Sequence, residues 1–250
     1  MNSLANKVAL VTGSSGGLGK AIAERFAKLG AAVIIHYNSN KEKAGQVVKG
    51  ILDAGGRAVA FKADTTKVSE IKTLFANAKK AYSKIDIVVA NAGIELIELP
   101  VTEITEEDFD KVFNTNTKGS YFTIQQAARY VEDNGRIIYI ASSTTVFPQK
   151  GMAVYGGSKT TPKYLVEVLA KEIGHRGVTV NSVIPYATDH AGIFTDPDSY
   201  PESRRVLVDS NPMGRLAAVE DVANVAEFFA SDLSSFVNGQ HLLVNGGAAL

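Results

Sequence analysis

The stretch Val8-Ala9-Leu10-Val11-Thr12-Gly13-Ser14-Ser15-Gly16-Gly17-Leu18-Gly19 decides the fold of this 250-residue chain. Its four apolar residues are typical of a buried parallel strand, and a glycine-rich turn follows them directly. A helical pattern comes next and ends at Gly30. Glycines let the backbone turn tightly and approach a ligand, and the helix N-terminus offers free N–H groups to a pyrophosphate. The stretch therefore predicts a strand, a phosphate-binding turn and a helix. The alternative interpretation is a tight turn that packs without a ligand.

The same alternation of strand and helix patterns continues to the end of the chain without a break in composition. The further strand-like runs are 32–37, 57–62, 85–90, 136–141, 177–184 and 240–244. This order predicts an α/β fold, a single Rossmann-type doubly wound domain over residues 1–250. Its seven-stranded parallel sheet would carry helices on both faces. Residues 186–212 read as a long loop, which we expect to be a substrate loop within that domain.

Two positions interrupt the helical patterns. The segment 114–119, Asn-Thr-Asn-Thr-Lys-Gly, interrupts a helix that begins near Thr105 and resumes through Ala128. Pro162 lies inside the pattern 155–173, where it removes a hydrogen bond to the Ser158 carbonyl. The sequence predicts a kink or a distortion there.

The composition excludes several classes of protein. Basic and acidic residues number 26 each, which argues against a nucleic-acid or anionic-membrane partner. The absence of cysteine excludes a disulfide framework, a thiolate metal site and a cysteine nucleophile. No apolar run approaches the length of a transmembrane helix, so we expect a cytoplasmic protein without a membrane partner.

The end of the second strand bears on cofactor choice. It reads His36-Tyr37-Asn38-Ser39-Asn40-Lys41, with no acid before Glu42. An acid at this place in a dinucleotide fold would bind the ribose 2′-hydroxyl of NAD, and its absence leaves room for a 2′-phosphate. The sequence therefore favours NADP(H), with NAD(H) as the alternative. Taken singly, His36 and Lys41 are expected to be solvated loop residues.

Tyr155 and Lys159 carry the candidate chemistry. At i and i+4 on a helix they share one face, where an ammonium would lower the pKa of a phenol and prepare it for proton transfer. Two other tyrosines have a basic residue at the same spacing, Tyr37 and Tyr200. Tyr37 ends a strand and Tyr200 lies in the long loop, so only Tyr155 has the helical context.

These motifs together resemble the short-chain dehydrogenase/reductase family over essentially the whole chain. The nearest groups are the 3-oxoacyl-carrier-protein reductases, the glucose-dehydrogenase-like enzymes and the fungal ketoreductases. The resemblance implies a catalytic tetrad of Asn116, Ser142, Tyr155 and Lys159, in which family spacing selects Ser142 over Ser143. It also implies cofactor contacts, which are Gly13, Ser15, Gly17, Leu18, Gly19, Tyr37, Asn38, Ser39, Asp64, Thr65, Asn91, Ala92, Gly93, Tyr155, Lys159, Pro185 and Thr188. Departures from the family pattern occur at Gly16, Tyr186, His190 and Asn245.

The resemblance further implies a reversible hydride transfer between NADP(H) and a ketone/secondary-alcohol pair, acting on CH–OH groups. Tyr155 would be the acid, Lys159 would lower its pKa, Ser142 would orient the carbonyl, and Asn116 would hold a water. Such enzymes are mostly homotetramers, with a homodimer as the alternative. The substrate would be a small molecule. Apolar residues in 93–99, 143–154 and 186–212 are expected to line its pocket, namely Ile94, Leu96, Ile97, Val146, Phe147, Tyr186, Ile193 and Phe194.

One alternative from another class is a non-enzymatic, NADP-binding regulatory protein on the same fold. Such proteins usually lack the tyrosine or the lysine, and this chain has both. A metal hydrolase is rejected, and no metal site is expected, because the four histidines (His36, His175, His190 and His241) are far apart without metal-binding spacing.

Overall fold

The computed structural model describes residues 3–196 and 198–248, so both chain ends and Pro197 lie outside the description of the 1–250 span. Seven strands form one parallel sheet in the order β3-β2-β1-β4-β5-β6-β7. Their bounds are β1 Val8–Val11, β2 Ala32–Tyr37, β3 Arg57–Lys62, β4 Ile87–Ala90, β5 Arg136–Ile140, β6 Thr179–Pro185 and β7 His241–Val244. The predicted seven-stranded parallel sheet is confirmed.

Eight α-helices accompany the sheet in the described ranges. They are α1 Gly17–Lys28, α2 Lys41–Asp53, α3 Val68–Tyr82, α4 Glu106–Val112, α5 Ser120–Tyr130, α6 Ala153–Ile173, α7 Pro201–Asp209 and α8 Val219–Ala230. One apolar core lies between the sheet and α1, α2 and α8, and includes Phe26, Val47 and Phe229. A second core lies on the opposite face, where Phe75 of α3 and Ile124 of α5 pack with residues of α6. Helices on both faces are therefore confirmed.

The strand order reverses direction beside β1, which pairs with β2 on one side and with β4 on the other. The chain adds β2 and β3 outward from β1 and then crosses back to add β4 to β7. Parallel sheets of this kind bind ligands in the crevice at the carboxyl ends of the strands at such a reversal. The segments that follow β1 and β4 are the glycine turn and Asn91-Ala92-Gly93.

The predicted interruption at 114–119 is a change of helix type. Phe113–Gly119 forms a π-helical turn that joins α4 to α5 without leaving the helical path. Such widened turns are rare in proteins, and those that occur are often found at functional sites. Helix α4, which precedes this turn, begins at a capping box between Thr105 and Asp108.

Helix α6 passes through Pro162 unbroken from Ala153 to Ile173. It begins two residues before Tyr155, earlier than the sequence pattern indicated. The carbonyl of Ser158, which has no N–H donor at Pro162, accepts a hydrogen bond of 2.8 Å from the Thr117 hydroxyl. A side chain of the π-helical turn thus replaces the missing backbone donor.

The prediction of an irregular loop over 186–212 is wrong for Pro201–Asp209, which forms α7. Pro201 occupies the first helical turn, where its missing N–H costs nothing and its fixed φ suits the helix. From the sequence, this proline is predicted to be a loop residue.

Among the described residues, no helix is both long and apolar enough to cross a membrane.

Candidate active site

A cavity of about 440 Å³ opens at the carboxyl ends of the strands, beside Ser142 and Tyr155. The segment after β6, including Pro185 and Thr188, forms one wall, and α7 contributes to the opposite wall. Four of the apolar residues predicted to line the pocket do so: Ile97, Tyr186, Ile193 and Phe194. The prediction was wrong for Ile94, Leu96, Val146 and Phe147, which are not part of this lining.

Tyr155 and Lys159 lie one turn apart on α6 and are both buried, with 9% and 4% of their surfaces exposed. The Lys159 ammonium donates a hydrogen bond of 3.1 Å to the carbonyl oxygen of Ile140, at the end of β5. Gly93 packs directly on this lysine, because a Cβ atom at Gly93 would lie 3.1 Å from Lys159 Nζ. The absence of a side chain at Gly93 therefore leaves the space that the ammonium occupies.

The expected effect of Lys159 on Tyr155 does not appear in this structure. Burial raises the pKa of Tyr155 well above its ordinary value, the Glu95 carboxylate raises it further, and the Ser142 hydroxyl lowers it. Burial also lowers the pKa of Lys159 to about 8, against an opposing effect of Glu95. The phenol is thus in its protonated form at neutral pH, which is the form that donates a proton to a carbonyl oxygen.

Ser142 stands at the end of β5, where its hydroxyl faces the Tyr155 phenol. The Ser142 oxygen accepts hydrogen bonds from the Thr144 backbone N–H at 3.3 Å and from the Thr144 hydroxyl at 2.9 Å. With both acceptor positions occupied, the Ser142 hydrogen is free to be donated toward the phenol or toward a substrate oxygen. The neighbouring Ser143 also lines the cavity but begins a short 3₁₀ turn.

Asn116 is fully buried in the π-helical turn and binds protein groups on all sides. Its Oδ1 accepts from the Ile94 backbone N–H at 2.8 Å. Its Nδ2 donates to the Ile94 carbonyl at 2.8 Å and to the Ser158 hydroxyl at 3.0 Å. Both amide hydrogens are therefore used, so the side chain cannot donate to the water predicted there. In this structure Asn116 fixes the segment after Gly93 against α6.

The glycine turn is held to the end of β4 by two polar side chains. The Asn91 amide donates to the carbonyl oxygens of Thr12 and Gly13 at 2.9 and 3.1 Å. The Thr12 hydroxyl accepts from the backbone N–H groups of Asn91 and Ala92. A Cβ atom at Gly19 would lie 2.3 Å from the Gly13 carbonyl oxygen, so the close packing of this turn requires glycine.

The residues around the start of α1 fit a dinucleotide phosphate. The first turn of α1 contains no acidic side chain, and no side chain caps its N–H groups. A Cβ atom built on Gly16 meets nothing within 4 Å, so the approach to these N–H groups is open. Unpaired N–H groups at a helix N-terminus bind anions. Ser15 and Leu18 lie in this turn and are half-buried.

The end of β2 corrects one prediction. His36 is buried, with 2% of its surface exposed, and is no solvated loop residue. Its Nδ1 accepts from the Gly13 backbone N–H at 2.9 Å, and its Nε2 donates to the Ala63 carbonyl at 3.0 Å. Tyr37 is buried beside it, whereas Asn38 and Ser39 are exposed. The imidazole thus holds the glycine turn through its hydrogen bond from the Gly13 N–H.

Asp64 and Thr65 follow β3 at the same edge of the sheet. The Asp64 carboxylate accepts from the backbone N–H and the hydroxyl of Thr66 at 3.0 and 2.7 Å, and it faces Lys67 at 3.5 Å. The hydrogen bond from Thr66 lowers the pKa of Asp64. Thr65 is buried against Gly119. Pro185 ends β6, and the buried Thr188 that follows donates its hydroxyl to the Tyr186 carbonyl at 2.8 Å.

The sequence did not predict the charged side chains of the cavity, of which Glu95 acts on the candidate pair. Glu95 stands two residues after Gly93 and lines the cavity together with Ser142 and Tyr155. Glu95 stands among the apolar residues Ile94, Leu96 and Ile97, from which the sequence predicts only an apolar pocket wall. An acid within three residues of the Asn-Ala-Gly turn was the signal that could have identified it.

The all-parallel sheet, its reversal beside β1 and the open helix N-terminus define a dinucleotide-binding protein. Over residues 13–249 the chain matches the family described as Enoyl-(Acyl carrier protein) reductase. The Hydroxynaphthalene reductase-like protein Arp2 of Metarhizium brunneum is 39% identical over 262 aligned positions, covering 98% of this chain and 96% of that protein.

Two solved structures are similarly close. A dehydrogenase/reductase from Sinorhizobium meliloti has a TM-score of 0.92 at 37% identity, covering 100% of this chain and 97% of that chain. The angucycline C-6 ketoreductase LanV, solved with bound NADP, has a TM-score of 0.91 at 33% identity, covering 98% and 96%. The chain belongs to the short-chain dehydrogenase/reductase family, as predicted. It is an oxidoreductase of that family, whose members use NAD or NADP as the cofactor.

Proposed function

We propose that this protein is an NADP(H)-dependent ketoreductase that interconverts a small-molecule ketone and a secondary alcohol. The observation that carries the proposal is the buried pair Tyr155 and Lys159 on α6, with the Ser142 hydroxyl facing the phenol at the wall of a cavity. The relatives support the reaction class, because LanV is a ketoreductase solved with NADP. Ketone reduction needs a proton donor at the carbonyl oxygen, and Tyr155 is a neutral phenol there.

Ser142, Tyr155 and Lys159 would each have a separate role in the reduction. Ser142 donates its free hydroxyl hydrogen to the carbonyl oxygen and fixes the position of that oxygen. Tyr155 gives its proton to the same oxygen as the carbon is reduced. Lys159 holds its ammonium beside Gly93 and stabilises the negative charge that develops on the phenol oxygen. The nicotinamide cofactor supplies the hydride when bound.

The cofactor contacts of the proposal follow the carboxyl edge of the sheet. The turn at Gly13, Gly17 and Gly19 would bind the pyrophosphate, and Asp64 with Thr65 would lie beside the adenine. The preference for NADP(H) rests on the absence of an acid at the end of β2, where Asn38 and Ser39 are exposed to meet a 2′-phosphate. Lys41 and Lys43 are exposed nearby and would add positive charge.

The proposal also includes the assembly and the substrate loop. We propose a homotetramer or a homodimer that pairs the outer faces of α5 and α6, where Tyr121 and Tyr164 are exposed. The segment 186–212, with its helix α7, would close over the substrate. A cytoplasmic location stays a prediction from the sequence.

The test is the oxidation of NADPH and of NADH, followed by absorbance, against a panel of ketones with wild type and Tyr155→Phe. General acid catalysis typically contributes about 10²–10⁴-fold, so we expect the variant to lose at least a hundredfold in kcat. Tyr164→Phe is the matched control, because this tyrosine lies on the same helix but is 66% exposed. The control should keep wild-type activity.

Three results would count against the proposal. Substantial activity in Tyr155→Phe would contradict the mechanism, and a preference for NADH would contradict the argument from β2. Stabilisation of the wild type by NADPH without turnover of any ketone would favour the non-enzymatic regulatory alternative. Unsaturated ketones belong in the panel, because the matched family is described by enoyl reduction, and NMR of the product distinguishes reduction of the double bond from reduction of the carbonyl.

A further inference from the structure

Glu95 is a charged side chain of the cavity that the proposed mechanism does not use. It lines the cavity with Tyr155 and Ser142, and its carboxylate is exposed to the cavity. Burial by the walls of the cavity raises the pKa of the Glu95 carboxyl, although part of the side chain stays accessible to solvent. The Ile193 backbone N–H and the Lys159 charge lower it to a smaller extent. The carboxylate oxygens therefore face solvent that a bound substrate would displace.

The position of this carboxylate is fixed by the segment after β6. A Cβ atom at Gly192 would lie 2.5 Å from Oε1 and 2.6 Å from Oε2 of Glu95. Gly192 has a φ of +55°, a conformation that also favours glycine. The backbone of Gly192 thus packs against the Glu95 carboxylate, and the Ile193 N–H faces the same carboxylate. Glu95 is held between the turn after β4 and the wall of the cavity.

The charge of Glu95 acts on both members of the candidate pair. It raises the pKa of Tyr155 after burial, and it raises the pKa of Lys159 against the effect of burial. Glu95 and Tyr155 both line the cavity, so the carboxylate and the phenol border the same space. A substrate whose carbonyl reaches Tyr155 therefore occupies the space that Glu95 borders.

From this geometry we infer that Glu95 is a specificity-determining residue, which accepts a hydrogen bond from a hydroxyl group of the substrate and repels substrates with a carboxylate there. The inference rests on the proposed ketone reduction and deepens it. A substrate that covers Glu95 without offering a donor desolvates the carboxylate and provides no hydrogen bond in exchange, which is costly. A hydroxyl group removes that cost with a charge-assisted hydrogen bond. The favoured substrate class is therefore the neutral hydroxyketones.

The experiment compares wild type with Glu95→Gln on three kinds of probe that share one skeleton. They are tetralone, its ring-hydroxylated positional isomers and its ring-carboxylated isomers. The measured quantity is the ratio of kcat/KM for each substituted probe to kcat/KM for tetralone, which cancels any general loss of activity in the variant. For the best hydroxylated isomer we expect a ratio about tenfold or more higher in wild type than in Glu95→Gln. For carboxylated isomers we expect the ratio to rise in the variant.

Glu98→Gln is the matched control, because Glu98 belongs to the same segment and also lines the cavity. An equal change of ratios in Glu98→Gln would assign the effect to the total charge of the cavity and would overturn the role of Glu95. Unchanged ratios in Glu95→Gln would overturn it as well. If Glu95→Gln fails to fold, Glu95→Asp gives the second test, because the shorter side chain withdraws the carboxylate and should also lower the hydroxyl ratio.

A pH profile separates this role from a purely structural one. Removal of the Glu95 charge lowers the pKa of Tyr155 and of Lys159, so activity should be lost at a lower pH as the pH rises. Two further groups act on Tyr155: the Ser142 hydroxyl, just after β5, and the Tyr139 phenol within β5. The other charged groups that line the cavity are Glu98, Lys150 and Glu202. These are unchanged in the variant. If the loss of activity at high pH occurs at the same pH in Glu95→Gln as in wild type, the Glu95 charge does not act on Tyr155 and Lys159 as inferred.

Failure of this inference is distinguishable from failure of the proposed function. If wild type reduces no ketone of the panel with either cofactor, the proposed function fails. If it reduces tetralone but both variants keep the wild-type ratios, only the inference on Glu95 fails.

Discussion

His36 shows how one buried side chain can set the shape of a ligand-binding turn. Its Nδ1 accepts from the Gly13 N–H, and its Nε2 must carry the hydrogen because the Ala63 carbonyl can only accept. Both bonds therefore require the neutral imidazole with the proton on Nε2. Protonation of the ring would put a hydrogen on Nδ1, which would then face the Gly13 N–H at 2.9 Å, donor against donor. The glycine turn and the protonation state of His36 are linked.

This linkage predicts a pH dependence of stability. Burial lowers the pKa of His36 in the folded state, with the Ala63 hydrogen bond opposing it. The unfolded chain then binds the proton first, so the stability that the neutral ring provides is present above a pH of about 6.5 and is lost as the pH falls below it. We expect the difference in Tm between wild type and His36→Asn to shrink by about 3 °C when the pH falls from about 7.5 to 5.5.

His36→Asn is a useful reference because Asn keeps an acceptor for the Gly13 N–H and does not titrate. The other histidines are the same in both proteins, so the difference isolates His36. Calorimetry or circular dichroism across this pH range measures it. A difference in Tm that does not vary with pH would contradict the assigned tautomer.

Thr12 and Asn91 illustrate what a motif contains beyond its glycines. Thr12 precedes the predicted site residue Gly13, and the side chains of Thr12 and Asn91 join the ends of β1 and β4 through four hydrogen bonds to backbone groups. The sequence predicted Asn91 as a cofactor contact. In the structure its amide is directed to the Thr12 and Gly13 carbonyls, so it shapes the turn that would hold the cofactor.

Helix α6 is joined by side-chain hydrogen bonds to the π-helical turn and to β5. Pro162 deprives the Ser158 carbonyl of its usual donor, and Thr117 of the π-helical turn supplies one. The Tyr139 hydroxyl similarly donates to the Lys159 carbonyl at 3.3 Å. Asn116 donates to the Ser158 hydroxyl from the same turn. The helix that carries Tyr155 and Lys159 is thus fixed by the widened turn and by β5.

This arrangement predicts a coupling between Thr117 and Pro162. Thr117→Val should lower the free energy of unfolding by about 1–3 kcal/mol, because it leaves a buried carbonyl without a donor. In a Pro162→Ala background the N–H of residue 162 can bond to the Ser158 carbonyl, so the same change should cost less. A double-mutant cycle by chemical denaturation should give a coupling energy of about 1 kcal/mol.

Thr160→Val is the matched control on the same helix. The Thr160 hydroxyl donates to the Gly156 carbonyl at 2.9 Å, but this carbonyl keeps its ordinary helical N–H partner. Its loss should cost less than the loss of the Thr117 hydroxyl. Additive effects of Thr117→Val and Pro162→Ala would contradict the replacement of the missing donor.

The helices and strands themselves were predicted to within a few residues, because apolar periodicity records which face of each element is buried. The two helical features that differed depend on partners far away in the chain. The turn 113–119 stays helical because its polar side chains bond to Ile94 and Ser158, which the sequence does not place beside it. Helix α7 was missed because proline at a first helical turn resembles proline in a loop.

The whole chain forms a sheet covered on both faces, with further apolar side chains left on the outside. Phe109 of α4, Tyr121 of α5 and Tyr164 of α6 are 44%, 38% and 66% exposed. Leu233 and Phe236, near β7, are also largely exposed. Exposed apolar patches on soluble proteins mark contact surfaces. Tyr121 and Tyr164 are the members of this set that lie on α5 and α6, and their exposure supports the proposed pairing of these helices between copies of the chain.

The assembly has a direct test in light scattering. The wild type should show a mass of two or four times the 26.6 kDa of one chain. Tyr164→Glu should halve that mass, because a charge buried at an interface without a partner is strongly unfavourable. Leu52→Glu on α2, where the leucine is 51% exposed, is the matched control and should keep the wild-type mass. A monomeric wild type would contradict the proposed pairing.

The sequence by itself determined the family, the sheet and the identity of the catalytic candidates, because these depend on local patterns and on spacing along the chain. Only the tertiary structure decided the electrostatics of the cavity. Burial and Glu95 raise the pKa of Tyr155, whereas the spacing to Lys159 had predicted the opposite shift. Desolvation and charge effects depend on distances between residues that are remote in sequence, such as Glu95, Tyr155 and Gly192. The glycine turn is likewise supported by His36, whose burial no local pattern indicated.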